Sequence, residues 1–391
     1  MKKHFAFVCI PATGHINPTL PLVEELLRRG HRVTYASRAK DLGDLADSGA
    51  EILDLPFDDI PVPPASGSMS TEAIRTMFEF MLDSTRRALP ILTEHFRRET
   101  PDAVCYDFMS LMGRIAAEHL DLPQVALHPS FASNDEFSLQ AQAAPADIDM
   151  SVFAGFNEQF AELAAEYGST TTPEVVNGVA ADLNLSFVSR SFQLAGETFD
   201  DRFRFLGPLL GRRAEQTWQP RDPGKPLLFI SLGTAFNHRA DFYRMCLRAF
   251  ADSPWHVAMS IGRHVDVADL GPIPANFDVR ESFPQPAVLR RADAFLSHTG
   301  MNSTMEALYF GVPVVAVPQM PEQALNAGRL EELGLGRKLV TEEVTAELLR
   351  SAVDEVAHDE GIRARLADMK AELRRCGGAP AGADALENYL A

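Results

Sequence analysis

A chain of 391 residues, 46% hydrophobic and 23% charged, has material for about two buried cores and no apolar run long enough to span a bilayer. A formal net charge of −18 and a pI near 5.0 exclude the basic stripe that a nucleic-acid backbone needs, so any phosphate must be met locally. Cys9, Cys105, Cys246 and Cys376 are scattered without Cys-x-x-Cys spacing, which argues against a zinc knuckle and a disulfide framework and fits a reduced cytoplasm.

In chain order, the opening Met1-Lys-Lys-His-Phe-Ala-Phe-Val-Cys-Ile stops at Pro11 and turns polar at Thr13, His15 and Asn17, so it reads as a strand and not as a signal peptide. Strand-like runs follow at 31–37, 50–55, 102–107 and 124–128, separated mostly by amphipathic stretches, and that alternation predicts a parallel sheet. Pro18 to Gly30 is a connecting helix, with proline near its start and glycine at its end. The stretch 130–180, carrying Phe131, Phe137, Phe153, Phe156 and Phe160, is irregularly apolar, and packing is favoured over a ligand pocket for most of these rings. Residues 1–207 form the first domain, and the Pro-, Gly- and charge-rich 208–225 a linker. The pattern restarts with runs near 226–232, 255–262, 276–280, 293–298 and 312–317, giving a second wound domain over 226–375. The tail is helical but broken at Gly377-Gly-Ala-Pro-Ala-Gly382, and a last helix over 376–391 is placed to pack back on the first domain.

His298-Thr-Gly-Met-Asn-Ser-Thr-Met-Glu306 joins a strand to a helix with residues suited to a diphosphate and a ribose. Gly300 permits the tight turn, and the helix start offers backbone N–H groups and a positive dipole end. Asn302, Ser303 and Thr304 add short donors, His298 a cationic partner, and Glu306 an acceptor for ribose hydroxyls. The plainer reading is an ordinary N-cap.

In an open wound sheet the strand order commonly reverses beside the first strand, so the loops after strands one and four share a crevice. His15, after strand one, should then meet Asp107, which ends strand four. Ser231, Gly233 and Thr234 should likewise face His298. A histidine oriented by a carboxylate has the geometry of a general base for a hydroxyl. Taken singly, each is as well explained by helix-start hydrogen bonding. No Gly-x-Ser-x-Gly elbow accompanies the pair, Ser110 looks like a helix cap, and no histidine cluster points to a metal.

Pro11-Ala-Thr-Gly-His-Ile-Asn-Pro18, Tyr106-Asp-Phe108, Ser231-Leu-Gly-Thr-Ala-Phe236, Phe283-Pro-Gln285, the His298–Glu306 segment and Val317-Pro-Gln-Met-Pro-Glu-Gln323 occur in this order. Together they resemble the inverting family 1 glycosyltransferases, especially bacterial macrolide-type enzymes that use UDP-sugars. The resemblance covers essentially the whole chain. It implies the α/β GT-B fold, two Rossmann-like doubly wound parallel-sheet domains facing across a cleft. It implies that His15 deprotonates an acceptor hydroxyl and Asp107 orients it, with inversion at the anomeric carbon. Gly233, Thr234, His298, Gly300, Asn302 and Ser303 would hold the diphosphate without a metal ion, and Glu306 the ribose. Gln285 would meet the uracil edge through its backbone or side chain, Phe283 belongs to the same donor-binding set, and Glu322 and Gln323 would meet the transferred sugar. The partners implied are a UDP-sugar, glucose first, as co-substrate, and a lipophilic hydroxyl acceptor such as a flavonoid, phenolic or macrolide; no cofactor is needed. One departure stands out: many relatives carry tryptophan three positions before the glutamine, where this chain has Ser282. An epimerase of the same architecture and a non-catalytic nucleotide-sugar or lipophile binder are the rival readings.

Overall fold

The computed structural model describes residues 2–61, 70–143, 151–173, 181–235 and 237–391. Residues 62–69, 144–150 and 174–180, the last two within the apolar stretch 130–180, and Phe236 of the Ser231–Phe236 motif lie outside the described residues. The apolar run His4–Val8 is β1, buried along its whole length. It is followed by β2 (Arg32–Ser37), β3 (Glu51–Asp54), β4 (Ala103–Asp107), β5 (Gln124–His128), β6 (Leu183–Ser186) and β7 (Phe203–Phe205). These form one parallel sheet in the order β3-β2-β1-β4-β5-β6-β7. A second parallel sheet holds β8 (Leu227–Ser231), β9 (His256–Ser260), β10 (Phe277–Arg280), β11 (Ala294–Ser297), β12 (Val314–Ala316) and β13 (Gly336–Lys338) in the order β10-β9-β8-β11-β12-β13. Both sheets reverse direction beside their first strand, which is the doubly wound arrangement the alternating pattern predicts.

Three strands escape the sequence pattern for a common reason. β6 reads Leu-Asn-Leu-Ser, and its Asn184 is buried by bonding the Ala181 carbonyl and the His128 ring, so polarity hides an interior strand. β7 and β13 are three-residue edges carrying Arg204 in one and Arg337 and Lys338 in the other. Charge on an edge strand discourages pairing with another chain. The connecting helix is also shorter than expected, Leu20–Arg28, because Pro18 and Thr19 belong to the turn before it.

Among the described residues the chain divides into two compact units: the first comprises everything to Gly211 together with Cys376–Ala391, the second Arg212–Arg375. The expected break at 377–382 is confined to Cys376 and Gly377, between the helices Glu360–Arg375 and Gly378–Tyr389. Only Gly377 and Gly378 have positive φ, 87° and 56°, and the helix Gly378–Tyr389 starts at once, with Pro380 in its first turn where no intrahelical donor is lost. Ala383 and Leu386 from this helix are buried in the first unit's core beside Leu22, Leu26 and Leu206. Arg29 bonds Glu25, Asp384, Glu387 and the Pro380 carbonyl at 2.6–3.1 Å, and His31 bonds Glu387 at 2.8 Å. Phe131, Phe137, Phe156 and Phe160 are buried and Phe153 half-buried, so packing does account for most of these rings. Among the described residues no helix is long and apolar enough to cross a membrane.

Leu386 is fully buried. Leu386→Ala should destabilise the protein by about 3 kcal/mol, the usual cost of emptying such a site. Denaturant titration followed by far-UV circular dichroism reads it, and an unchanged midpoint would mean that the last helix does not contribute to the first core.

Candidate active site

β1 and β4 lie side by side with Val8 opposite Tyr106. The chain leaving β1 makes a single helical turn, Thr13–Ile16, that carries His15, and β4 ends on Asp107. His15 Nδ1 and Asp107 Oδ2 are 2.7 Å apart although 92 positions separate them. The carboxylate is completely buried and the imidazole 21% exposed. Asp107 Oδ1 accepts from the Met109 amide at 2.9 Å, so both carboxylate oxygens have fixed donors. A carboxylate only accepts, which places the ring proton on Nδ1 and the basic lone pair on Nε2. Phe108 lies face to face with His15, centroids 6.2 Å apart and planes 24° apart, and its other neighbour is His128, at 5.7 Å and 22°. The sequence reading missed this stack. Ser110 stands at the N-cap position of the helix Leu111–His119 but its hydroxyl makes no cap bond and is buried without a partner, which corrects the reading of it as a helix cap.

In the second unit, β8 and β11 pair with Ser231 opposite Ser297. This sets the loop of Ser231, Gly233 and Thr234 beside His298. Ser231 Oγ accepts from the Gly233 amide at 3.2 Å, and Asn237 Nδ2 donates to the Gly233 carbonyl at 2.7 Å. The His298 ring is wedged between two glycines: a Cβ on Gly233 or Gly300 would come within 2.5 or 2.6 Å of Nε2. The tight turn itself falls elsewhere than expected. Gly300 has φ −58° and ψ 145°, and the left-handed residue is Thr299, φ 60°. Glycine is required at 300 for space, while Thr299 is held in its unfavourable conformation by bonds to Ser297 Oγ, the Gln323 carbonyl and Asn326 Nδ2. Burial pushes the His298 pKa down to about 4, so its ring is neutral near pH 7 and not the cationic partner first expected. The helix Met301–Phe310 then starts with Asn302 and Ser303 in its first turn, where backbone donors and the dipole favour an anion.

Glu306 lies one turn deeper, its side chain 3% exposed. Oε1 accepts from Arg213 Nη1 at 2.7 Å and Oε2 from Gln285 Nε2 at 2.8 Å. Gln285 Nε2 also lies 3.2 Å from Ser303 Oγ. A hydroxyl that accepts there directs its own proton elsewhere, so Ser303 remains a donor. The Gln285 Nε2 donor group is thus committed to Glu306 and Ser303, leaving Oε1 and the backbone for other contacts. Phe283 is half-buried and edge-on to Trp218 and Phe229, with the Arg280 guanidinium 4.9 Å above its face; Ser282 is exposed. Arg213, unremarked in the sequence, is announced only by the general rule that a buried carboxylate needs a partner.

Glu322 and Gln323 open the helix Pro321–Glu332. Gln323 Oε1 accepts from the Gln319 amide at 2.8 Å, which fixes the side-chain amide's orientation and leaves its NH₂ as the donor. Glu322 Oε1 accepts from Asn326 Nδ2, and Asn326 also reaches the Thr299 carbonyl, so this helix start is tied to the anion turn. Arg239 Nη1 reaches Gln319 Oε1 at 2.5 Å, joining the loop after β8 to the same group. The second-unit site candidates named from sequence therefore lie at the carboxyl ends of β8, β10, β11 and β12, on the loops that follow or on the helices they lead into.

Residues 256–380 match a family model described as Erythromycin biosynthesis protein CIII-like, C-terminal domain. The chain is 41% identical over 400 residues to the NDP-glycosyltransferase YjiC of Bacillus subtilis (strain 168), covering 100% of this chain and 98% of that one. It is 39% identical over 405 residues to demethyllactenocin mycarosyltransferase of Streptomyces fradiae, covering 99% and 86%. Among solved structures it resembles CalG4, the calicheamicin glycosyltransferase, with a TM-score of 0.83 at 34% identity, covering 100% and 98%.

Gly300→Ala should cost about 1–3 kcal/mol, because the added methyl meets the His298 ring and cannot be accommodated without displacing it; a melting temperature equal to wild type would show that the ring has room. Buried His298 and His128 both have pKa values lowered from 6.5 to about 4. The unfolded chain therefore binds protons that the folded chain refuses, and stability, complete above about pH 6.5, should fall as pH drops toward 4. Denaturant titrations at pH 7.5 and 5.0 should show this loss, smaller in His298→Asn; an equal loss in that variant would remove His298 from the effect.

Proposed function

This chain belongs to the macrolide-type family of natural-product NDP-glycosyltransferases, and on that premise we propose that it moves a glucosyl group from UDP-glucose to a hydroxyl of a lipophilic small molecule, with His15 as general base. The observation that carries this reading is the 2.7 Å bond between His15 Nδ1 and Asp107. It orients Nε2 as the atom that takes a proton from the acceptor, and the buried carboxylate stabilises the imidazolium so formed. The acceptor oxygen attacks the anomeric carbon as the bond from that carbon to the diphosphate oxygen breaks. UDP departs with the bonding pair, and a single displacement inverts the configuration.

Charge developing on the leaving diphosphate is met by the start of the helix Met301–Phe310, by Asn302, Ser303 and Thr234, and by N–H donation from neutral His298. That donor set supports a transfer requiring neither metal nor cofactor. Glu306 receives the ribose, Gln285 the uracil edge through its backbone or side chain, with Phe283 beside it in the donor site, and Glu322 and Gln323 the sugar hydroxyls, Gln323 donating through its NH₂ while Oε1 accepts from the Gln319 amide. The acceptor is a phenolic, flavonoid or macrolide hydroxyl, and the setting is the cytoplasm.

His15→Ala should lower kcat toward an aliphatic alcohol by about 10²- to 10⁴-fold while leaving UDP affinity nearly intact. A strongly acidic phenol should escape much of that loss, since it ionises unaided. Wild-type turnover of the alcohol by the variant would remove His15 from the mechanism. A mass-spectrometric screen of donor sugars against phenolic and macrolide acceptors should give products shifted by one hexose with UDP-glucose; a preference for a dTDP-sugar would replace the donor assigned here.

A further inference from the structure

Outside the residues already given roles, one charged side chain reaches into the donor site from the segment that follows Gly211. Arg213 Nη1 lies 2.7 Å from Glu306 Oε1, and the guanidinium is 28% exposed above a carboxylate that is 3% exposed. The backbone on its C-terminal side is pinned to the same unit: Arg290 Nη2 donates to the Ala214 carbonyl, and Trp218 is buried edge-on against Phe283. Arg213 is thus held by attachments made to the loop beside the nucleoside site, and its reach to Glu306 is not a chance sweep of a long surface side chain.

The carboxylate has four lone-pair positions. Arg213 and Gln285 take one on each oxygen, and the remaining one on each is directed by them. From this we infer that Arg213 is a positioning residue for donor specificity: by fixing Oε1 it aims the Glu306 lone pairs at a vicinal diol, so that preference for ribose over 2′-deoxyribose runs through a residue of the interdomain segment. This rests on the proposed role of Glu306 as the ribose acceptor. Without the guanidinium the carboxylate keeps only Gln285 and is free to turn about its last torsion, which removes the geometric demand for two adjacent hydroxyls. The diphosphate cradle, built on His298, Gly233 and the helix start, involves none of Arg213's contacts.

The test is isothermal titration calorimetry of the full chain with UDP and with 2′-deoxy-UDP, in wild type, Glu306→Gln, Arg213→Gln and Arg213→Lys, each first checked for a wild-type circular dichroism spectrum. Wild type should bind UDP about tenfold or more tighter than 2′-deoxy-UDP, the worth of one good charge-assisted hydrogen bond. Arg213→Gln should bring that ratio close to one, chiefly by weakening UDP, and Arg213→Lys should recover much of it. If Glu306→Gln keeps the wild-type ratio, the ribose reading of Glu306 fails. If Glu306→Gln flattens the ratio and Arg213→Gln does not, that reading stands and the inference about Arg213 fails. Equal weakening of both ligands by Arg213→Gln would make its role general electrostatics or folding, and tighter UDP binding would mean that the guanidinium occupies the ribose's place; either overturns the inference. Should Arg213→Gln not fold, Arg213→Met takes its place: a ratio near one sustains the inference and the wild-type ratio overturns it.

Discussion

Parallel pairing of the first strand with the fourth, made once in each sheet, decides which side chains can meet. Every other feature of the site is downstream of it. In the first unit it brings Val8 opposite Tyr106, so that the helical turn after β1 and the last residue of β4 bring His15 and Asp107 together. In the second it brings Ser231 opposite Ser297, and the residues just after these strands set Gly233 against His298. A one-residue slip in either register would turn alternate side chains to the opposite face and dissolve both arrangements. The buried β-branched and aromatic rows that lock these strands therefore position the chemistry as well as stabilise the fold.

Much of this was legible because parallel strands buried on both faces are written as unbroken apolar runs, and because glycine, proline and helix-capping residues mark where those runs end. Ten of the strands announce themselves in that way. β6 does not, since its interior polarity is answered by His128 and by a carbonyl, a partnership that only three-dimensional neighbours can supply. The position of His15 relative to Asp107 was legible too, through topology. The supporting contacts were not: Phe108 stacks on His15, and in the second unit Asn237 and Asn326 donate to the Gly233 and Thr299 carbonyls while the Gln319 amide donates to Gln323 Oε1.

The anion turn shows how local rules mislead when space is scarce. Glycine after a strand suggests a left-handed turn, yet here the unfavourable dihedral falls on Thr299 and the glycine serves to admit an imidazole. Burial of that imidazole then depresses its basicity and disfavours the cationic form. Both departures follow from one fact, that the ring is packed between two chain segments with no room for a side chain on either.

The helix Gly378–Tyr389 gives the first core Ala383 and Leu386, although all of residues 212–375 stand before it in the chain. On the ribosome, the amino-terminal unit must consequently wait with an open seam beside Leu22 and Leu206 while the whole of its neighbour is translated. The later-made unit is the first able to complete itself, an inversion of the usual vectorial order. Errors of translation or proteolytic nicks near residue 376 would thus damage the portion of the molecule that was synthesised earliest.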